Sequence, residues 1–119
     1  NAPSPAVTEP GESLILTGTI IEASANICGG TTIGKGTKVG SNSEVRASVV
    51  FDSASIGSNV SITNSIIGQG AVIGDSCVIA DSVVGDFAHI GAGNELRSGA
   101  RVWANAELDE LVVRFSSDK

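Results

Sequence analysis

An aliphatic residue returns about every six positions through nearly the whole chain, and few folds tolerate that spacing. Ile21, Ile27, Ile33, Val39 and Val45 begin the series. It continues through Val50, Ile56, Ile62, Ile67, Ile73, Ile79, Val84, Ile90, Leu96, Val102 and Leu108. A surface helix needs apolar residues three or four apart, and a hairpin strand needs sustained two-residue alternation. Neither pattern is present. A small residue often follows the aliphatic one directly, as at Gly34, Gly40, Gly57, Gly68, Gly74 and Gly85. Another comes four positions after it, as at Ala25, Thr31, Thr37, Ser43, Ala54 and Ala71.

Three of the steps are five residues long: Val45 to Val50, Ile62 to Ile67 and Ile79 to Val84. They create a longer period of 17, on which "VRASVVFDSASIGSNVS", "ITNSIIGQGAVIGDSCV" and "IADSVVGDFAHIGAGNE" align. Three short faces per period, each closed by a corner, make one triangular coil. Stacking such coils at strand spacing, about 4.8 Å, puts one aliphatic column per face inside, packed on copies of itself. The chain is therefore expected to be all-β, a parallel β-helix of hexapeptide repeats. It runs over residues 14–108 with about five to six coils. Corners need residues that accept positive φ or close backbone approach, which accounts for their Gly and Asn. The handedness rests on resemblance alone: proteins with this repeat wind left-handed, against the usual rule for crossovers.

Composition fits a narrow aliphatic interior. Aromatics are only 3% of the chain, and Tyr and Met are absent. The net charge of −6 repels phosphate backbones and excludes nucleic acid as a partner. No apolar run approaches the roughly 20 residues of a membrane span, and no signal-peptide pattern is seen. Cys28 and Cys77 lie 49 residues apart without zinc spacing, so they read as reduced, structural thiols in a cytoplasmic setting. The stretch "CGGTTIGKGTKVG" nearly matches a phosphate-binding loop through Gly29, Gly34 and Lys35, but Gly36 replaces the Ser or Thr that would reach magnesium. It continues into more β repeats rather than a helix, so the match is an accident of the period.

The ends differ from the middle. Residues 1–13 hold all three prolines and no repeat, and they read as a linker or strap, with Asn1-Ala2 as a cloning remnant. Residues 109–119 leave the register and are expected to cap the last coil, hiding unpaired strand edges. His89, the single histidine, precedes the inward Ile90 and so faces outward. The many hexapeptide β-helices that are trimeric acyltransferases use a histidine base between subunits. Here no second histidine or nearby glutamate is expected to orient His89, which leaves that activity as the alternative reading.

The segment "GAGNELRSGARVWANAEL", followed by "VVRFSSDK", resembles the C-terminus of bacterial mannose-1-phosphate guanylyltransferases, members of the sugar-phosphate nucleotidyltransferase family. The matching residues are Gly93, Asn94, Glu95, Leu96, Gly99, Ala100, Arg101, Val102 and Trp103, then Arg114, Phe115, Ser116, Ser117 and Asp118. Ala104 departs from the pattern, since the family often has proline there. The resemblance implies an N-terminal α/β domain in the parent chain, where a sugar 1-phosphate attacks the α-phosphate of GTP with magnesium assisting. That domain's glycine-rich signature is absent here. This chain would then carry no catalytic, cofactor or metal residue, and would serve assembly, support of the catalytic domain or regulation. A purely structural oligomerisation module is the third reading.

The aromatics bear on assembly. Phe51 and Trp103 each follow an inward aliphatic residue, Phe87 misses the inward columns, and Phe115 is in the tail. All four rings are expected outside the core. Phe51 and Trp103 are read as anchors for a partner subunit of a homo-oligomer or for the missing domain. Arg97 and Arg101 flank the same coil, as solvated side chains or as a grip on an anion across an interface.

Overall fold

A computed structural model describes residues 13–109. The strap over residues 1–12 and the cap over residues 110–119 lie outside the described residues. Seventeen short strands follow one another, and each pairs in parallel with strands one coil away. The first wall stacks β1 (Leu14–Ile15), β4 (Thr32–Ile33), β7 (Val49–Val50), β10 (Ile66–Ile67), β13 (Val83–Val84) and β16 (Arg101–Val102). The second stacks β2 (Ile20–Ile21), β5 (Lys38–Val39), β8 (Ser55–Ile56), β11 (Val72–Ile73), β14 (His89–Ile90) and β17 (Glu107–Leu108). The third stacks β3 (Asn26–Cys28), β6 (Glu44–Arg46), β9 (Ser61–Thr63), β12 (Val78–Ala80) and β15 (Glu95–Leu96). Six, six and five strands make five full coils and two walls of a sixth, as the period demands.

Register confirms which residues face inward. On the third wall Val45, Ile62, Ile79 and Leu96 stand in line, and all four are buried. The offset between paired residues is 18 in the first coil (Leu14 with Thr32) and 17 in the middle (Val49 with Ile66). It returns to 18 at the end (Val83 with Arg101). The inward columns are aliphatic, and small or polar residues four positions on fill the corners: Ala25, Ala54, Ala71, Cys77 and Ala88 are buried, as are Thr31, Thr37, Ser43 and Asn94.

One corner carries a device the six-residue series does not reveal. Ser48, Ser65 and Ser82 are buried at the third-to-first corner, three positions after the aliphatic residue because the step there is five. Ser65 Oγ donates to the Thr63 carbonyl at 2.8 Å and accepts the Ser82 amide at 3.1 Å. Ser48 Oγ donates to the Arg46 carbonyl at 2.8 Å and accepts the Ser65 amide at 3.0 Å. Each hydroxyl thus links one coil to the next and satisfies a buried amide that would otherwise be costly. The apparent phosphate loop is likewise occupied by its own chain: the Lys35 amide donates to Asp52 Oδ1 at 2.8 Å, and β5 follows instead of a helix.

Candidate functional site

Outward side chains divide the prism sharply. The third wall presents Glu44, Arg46, Ser61, Thr63, Glu95 and Arg97, with ion pairs Arg46–Glu44 at 2.9 Å and Arg97–Glu95 at 3.5 Å. The opposite edge, where the first wall turns into the second, is apolar. Val49, Ile66 and Val83 form an outward ladder on the first wall, with Leu14 beyond the intervening Thr32, and Ile20 and Val72 stand outward on the second. Between them, at the corner, lie Phe51, Phe87 and Trp103, at 49%, 52% and 79% exposure. Every large hydrophobic that is exposed among the described residues belongs to these two walls or their shared edge.

Phe51 and Trp103 therefore lie where the sequence puts them, outside the core. Phe87 joins them in a backbone conformation the sequence does not announce. Its φ is 59°, in a corner position held elsewhere by Gly36 (φ 67°), Ser53 (63°), Gly70 (67°) and Asn105 (63°). A bulky residue there is uncommon and costs about 1–2 kcal/mol. Its ring lies over Gly70 of the preceding coil, where an added Cβ would meet the ring at 2.5 Å. Arg97 stands past the third wall beside Glu95, while Arg101 points outward from the first wall, so a corner separates the two. Next to Trp103, the last inward residues Leu96, Val102 and Leu108, with Ala100 and Ala106, line an apolar depression of about 330 Å³.

His89 is exposed on the second wall, as expected, but it is not without a carboxylate. Register puts Val72 on one side of it and Glu107 on the other, and Asp109 lines the same shallow depression. Among the described residues no hydrogen bond or ion pair joins the two side chains, so Glu107 is a neighbour in register and does not hold the ring. The last step between coils is 18 residues, so Glu107 stacks beside His89 although it is far off in sequence.

Among the described residues no group of three or more His, Cys, Asp or Glu side chains is placed to hold a metal, and no helix is long and apolar enough to cross a membrane. Both cysteines are free and buried. Burial, ahead of the charge on Asp75, holds the Cys77 thiol above its ordinary pKa, although amides from Asn94, Gly93 and Gly74 oppose the shift. The unfolded chain loses this proton near the ordinary thiol value of about 8.5, while the folded chain keeps it to higher pH. Stability is therefore unaffected below that value and declines above it. Cys77→Ala is expected to flatten the decline between about pH 8 and 10, as read by urea midpoints. An unchanged slope would show that the thiol is not responsible.

A three-walled parallel coil with aliphatic columns and Gly-Asp corners defines a hexapeptide-repeat β-helix. Residues 15–113 match the family described as the EIF2B subunit epsilon LbH domain, LbH denoting a left-handed β-helix. The chain belongs to this family. It is 45% identical over 118 residues to a mannose-1-phosphate guanylyltransferase of Mycobacterium tuberculosis (strain ATCC 25618 / H37Rv), a match covering 98% of this chain. The chain spans 33% of that relative's length. Among solved structures it resembles the acetyltransferase domain of PglB from Neisseria gonorrhoeae FA1090 in complex with acetyl coenzyme A. The TM-score is 0.70 at 22% identity, over 86% of this chain and 53% of that one. It also resembles an Arabidopsis UDP-N-acetylglucosamine acyltransferase with a TM-score of 0.62 at 16% identity, over 89% and 48% of the two chains. At these identities the structural likeness shows the fold alone.

Proposed function

We propose that this chain is the C-terminal β-helix domain of a sugar-nucleotide pyrophosphorylase, in particular a mannose-1-phosphate guanylyltransferase. The whole protein would convert GTP and mannose 1-phosphate to GDP-mannose and pyrophosphate, and this domain would serve assembly or regulation beside an N-terminal nucleotidyltransferase domain. The observation that carries the reading is the 45% identity over 98% of the chain. A solid aliphatic interior, a P-loop-like segment tied up by Asp52 and acidic corner groups engaged with amides agree with a part that does no chemistry. The described residues do not fit the magnesium that such a reaction uses, and no step runs through that ion in this domain. Two buried free thiols suit a reducing, cytoplasmic setting.

The second reading, an acyltransferase, is favoured by the His89–Glu107 adjacency. Turnover separates the two. The full-length protein is expected to release pyrophosphate from GTP only with mannose 1-phosphate present, and the 119-residue chain is expected to be inert with acetyl-CoA and amine acceptors. Acetyl-CoA consumption by the chain, lost in His89→Ala, would overturn the proposal. So would a full-length protein inactive towards every sugar 1-phosphate.

A further inference from the structure

We propose that residues 111–114 add a sixth strand to the third wall, with Leu111 and Val113 pointing into the open end of the rod. The inference goes beyond the proposed function and does not depend on it.

The third wall is one strand short. The first and second walls end on β16 and β17 in the sixth coil, whereas the third ends on β15 in the fifth. The chain leaving β17 is already turned towards that gap. At the corner between the second and third walls, Ser43 Oγ donates to the Gly57 carbonyl at 2.6 Å, and Cys77 Sγ donates to the Gly91 carbonyl at 3.1 Å. Asn94 Nδ2 makes the same bond one coil on, to the Asp109 carbonyl at 2.8 Å. Asp109 therefore stands where Gly57 and Gly91 stand, and it has not left the coil.

Period says what comes next. From Val45 onward the third wall keeps an offset of 17, through Ile62, Ile79 and Leu96. The next member is Val113. Counting six from Leu108 reaches Arg114 instead, which makes the tail look out of register. The neighbouring columns decide between the two. Ser43, Val60, Cys77 and Asn94 fill the buried slot before each strand, and Leu111 lies 17 residues further on. Val60 shows that an aliphatic side chain fits there. The outward pair Glu95 and Arg97 leads by the same offset to Val112 and Arg114. The step from Leu108 to Val113 is five residues, a length the coil already uses from Val45 to Val50. The family match over residues 15–113 ends on the same residue, running from the inward Ile15 to Val113.

Burial and hydrogen bonding favour this strand. The open end is the apolar depression lined by Leu96, Val102 and Leu108, and two aliphatic side chains entering it remove apolar surface from water on both sides. The Val78 amide donates to the Asn94 carbonyl at 3.0 Å. Glu95 pairs with Val78 in register, and the added strand offers its amide the Leu111 carbonyl in the same way. That closes an edge which could otherwise recruit another chain. The one adverse neighbour is Arg97 beside Arg114, a surface pair of like charge worth much less than the burial gained.

Amide hydrogen exchange of the 119-residue chain, followed by nuclear magnetic resonance, tests the strand. The Glu95 amide is expected to exchange at least about 100-fold more slowly than an open amide. Val113→Lys, or a chain ending at Asp109, should return it to within about 3-fold of the open rate. Val112→Lys, whose side chain points outward, should keep the protection. The Ser61 amide, bonded to the Cys77 carbonyl at 3.0 Å in the middle of the rod, should stay slow throughout and shows that each variant is folded. An open Glu95 amide in the wild type, protection that survives Val113→Lys, or protection lost in Val112→Lys would each overturn the proposal. So would protection that grows with protein concentration, which puts a second copy on this end in place of the tail.

Discussion

Ile62→Ala is expected to destabilise the rod by about 3–4 kcal/mol, within the range for a fully buried branched residue. Ile62 has no exposed surface and stands in register between Val45 and Ile79. The cost should fall in the upper part of that range because the cavity cannot collapse. Each wall is held at fixed rise by amide bonds to both neighbouring coils, such as Glu44 to Val60 and Ser61 to Cys77, so the columns above and below cannot slide into the gap. Unlike a globular core, a coil stack shares stability through nearest neighbours, and a weak middle coil uncouples the two ends. A fall in melting temperature of about 10–15 °C should accompany a broader transition. Ile21→Ala, at the partly buried first coil, should cost about 1 kcal/mol, since less surface returns to water and the end can relax. Equal losses in the two variants, measured by urea unfolding, would disprove the account of a central column locked by its coils.

The aliphatic columns were legible because one requirement repeats in every coil: a branched side chain must fit a triangular interior too narrow for rings. The exposure of Phe51 and Trp103 follows from the same rule. Two features were not legible, each for a geometric reason. The Ser48–Ser65–Ser82 ladder falls three positions after the aliphatic residue, out of phase with the four-position series, because a five-residue step shortens that corner. The Glu107 neighbour of His89, by contrast, follows from the series itself, because Ile90, Leu96, Val102 and Leu108 are separated by three six-residue steps and so set an 18-residue offset. The positive φ of Phe87 was hidden because its column otherwise holds residues suited to it, Gly70 and Asn105 among them. The corner glycines, which the sequence explains equally by dihedral freedom or close approach, divide into both kinds.

Gly68→Ala separates those kinds, and the loss is expected to be about 3 kcal/mol, at the upper end for overpacking. Gly68 is absent from the positive-φ positions, so its backbone conformation is open to any residue. What forbids a side chain is the next coil. A Cβ would meet the Asp86 amide nitrogen, Asp86 Oδ1 and the Gly85 carbonyl carbon, each at 2.6 Å. Asp86 is there because its carboxylate accepts the Gln69 amide at 2.9 Å, tying one corner to the corner before it. The same pairing recurs with Asp52 over Gly34 and Asp75 over Gly57. Phe51, which carries a side chain in the Gly68 slot, is followed one coil later by Gln69 rather than an aspartate. Removing the carboxylate should therefore help only partly. Gly68→Ala/Asp86→Ala is expected to stay about as unstable as the single variant, within roughly 1 kcal/mol, because two of the three obstructing atoms are backbone. Gly36 gives the contrast. Its φ is +67°, but a Cβ there would meet only Ser53 Oγ, at 3.8 Å, so Gly36→Ala should cost only the left-handed strain, about 1–2 kcal/mol. If urea midpoints put Gly36→Ala at or below Gly68→Ala in stability, dihedral freedom and not the approach of successive coils selects glycine at these corners. A larger loss at Gly68 means that the tightness of the stack itself sets which corners can hold a side chain.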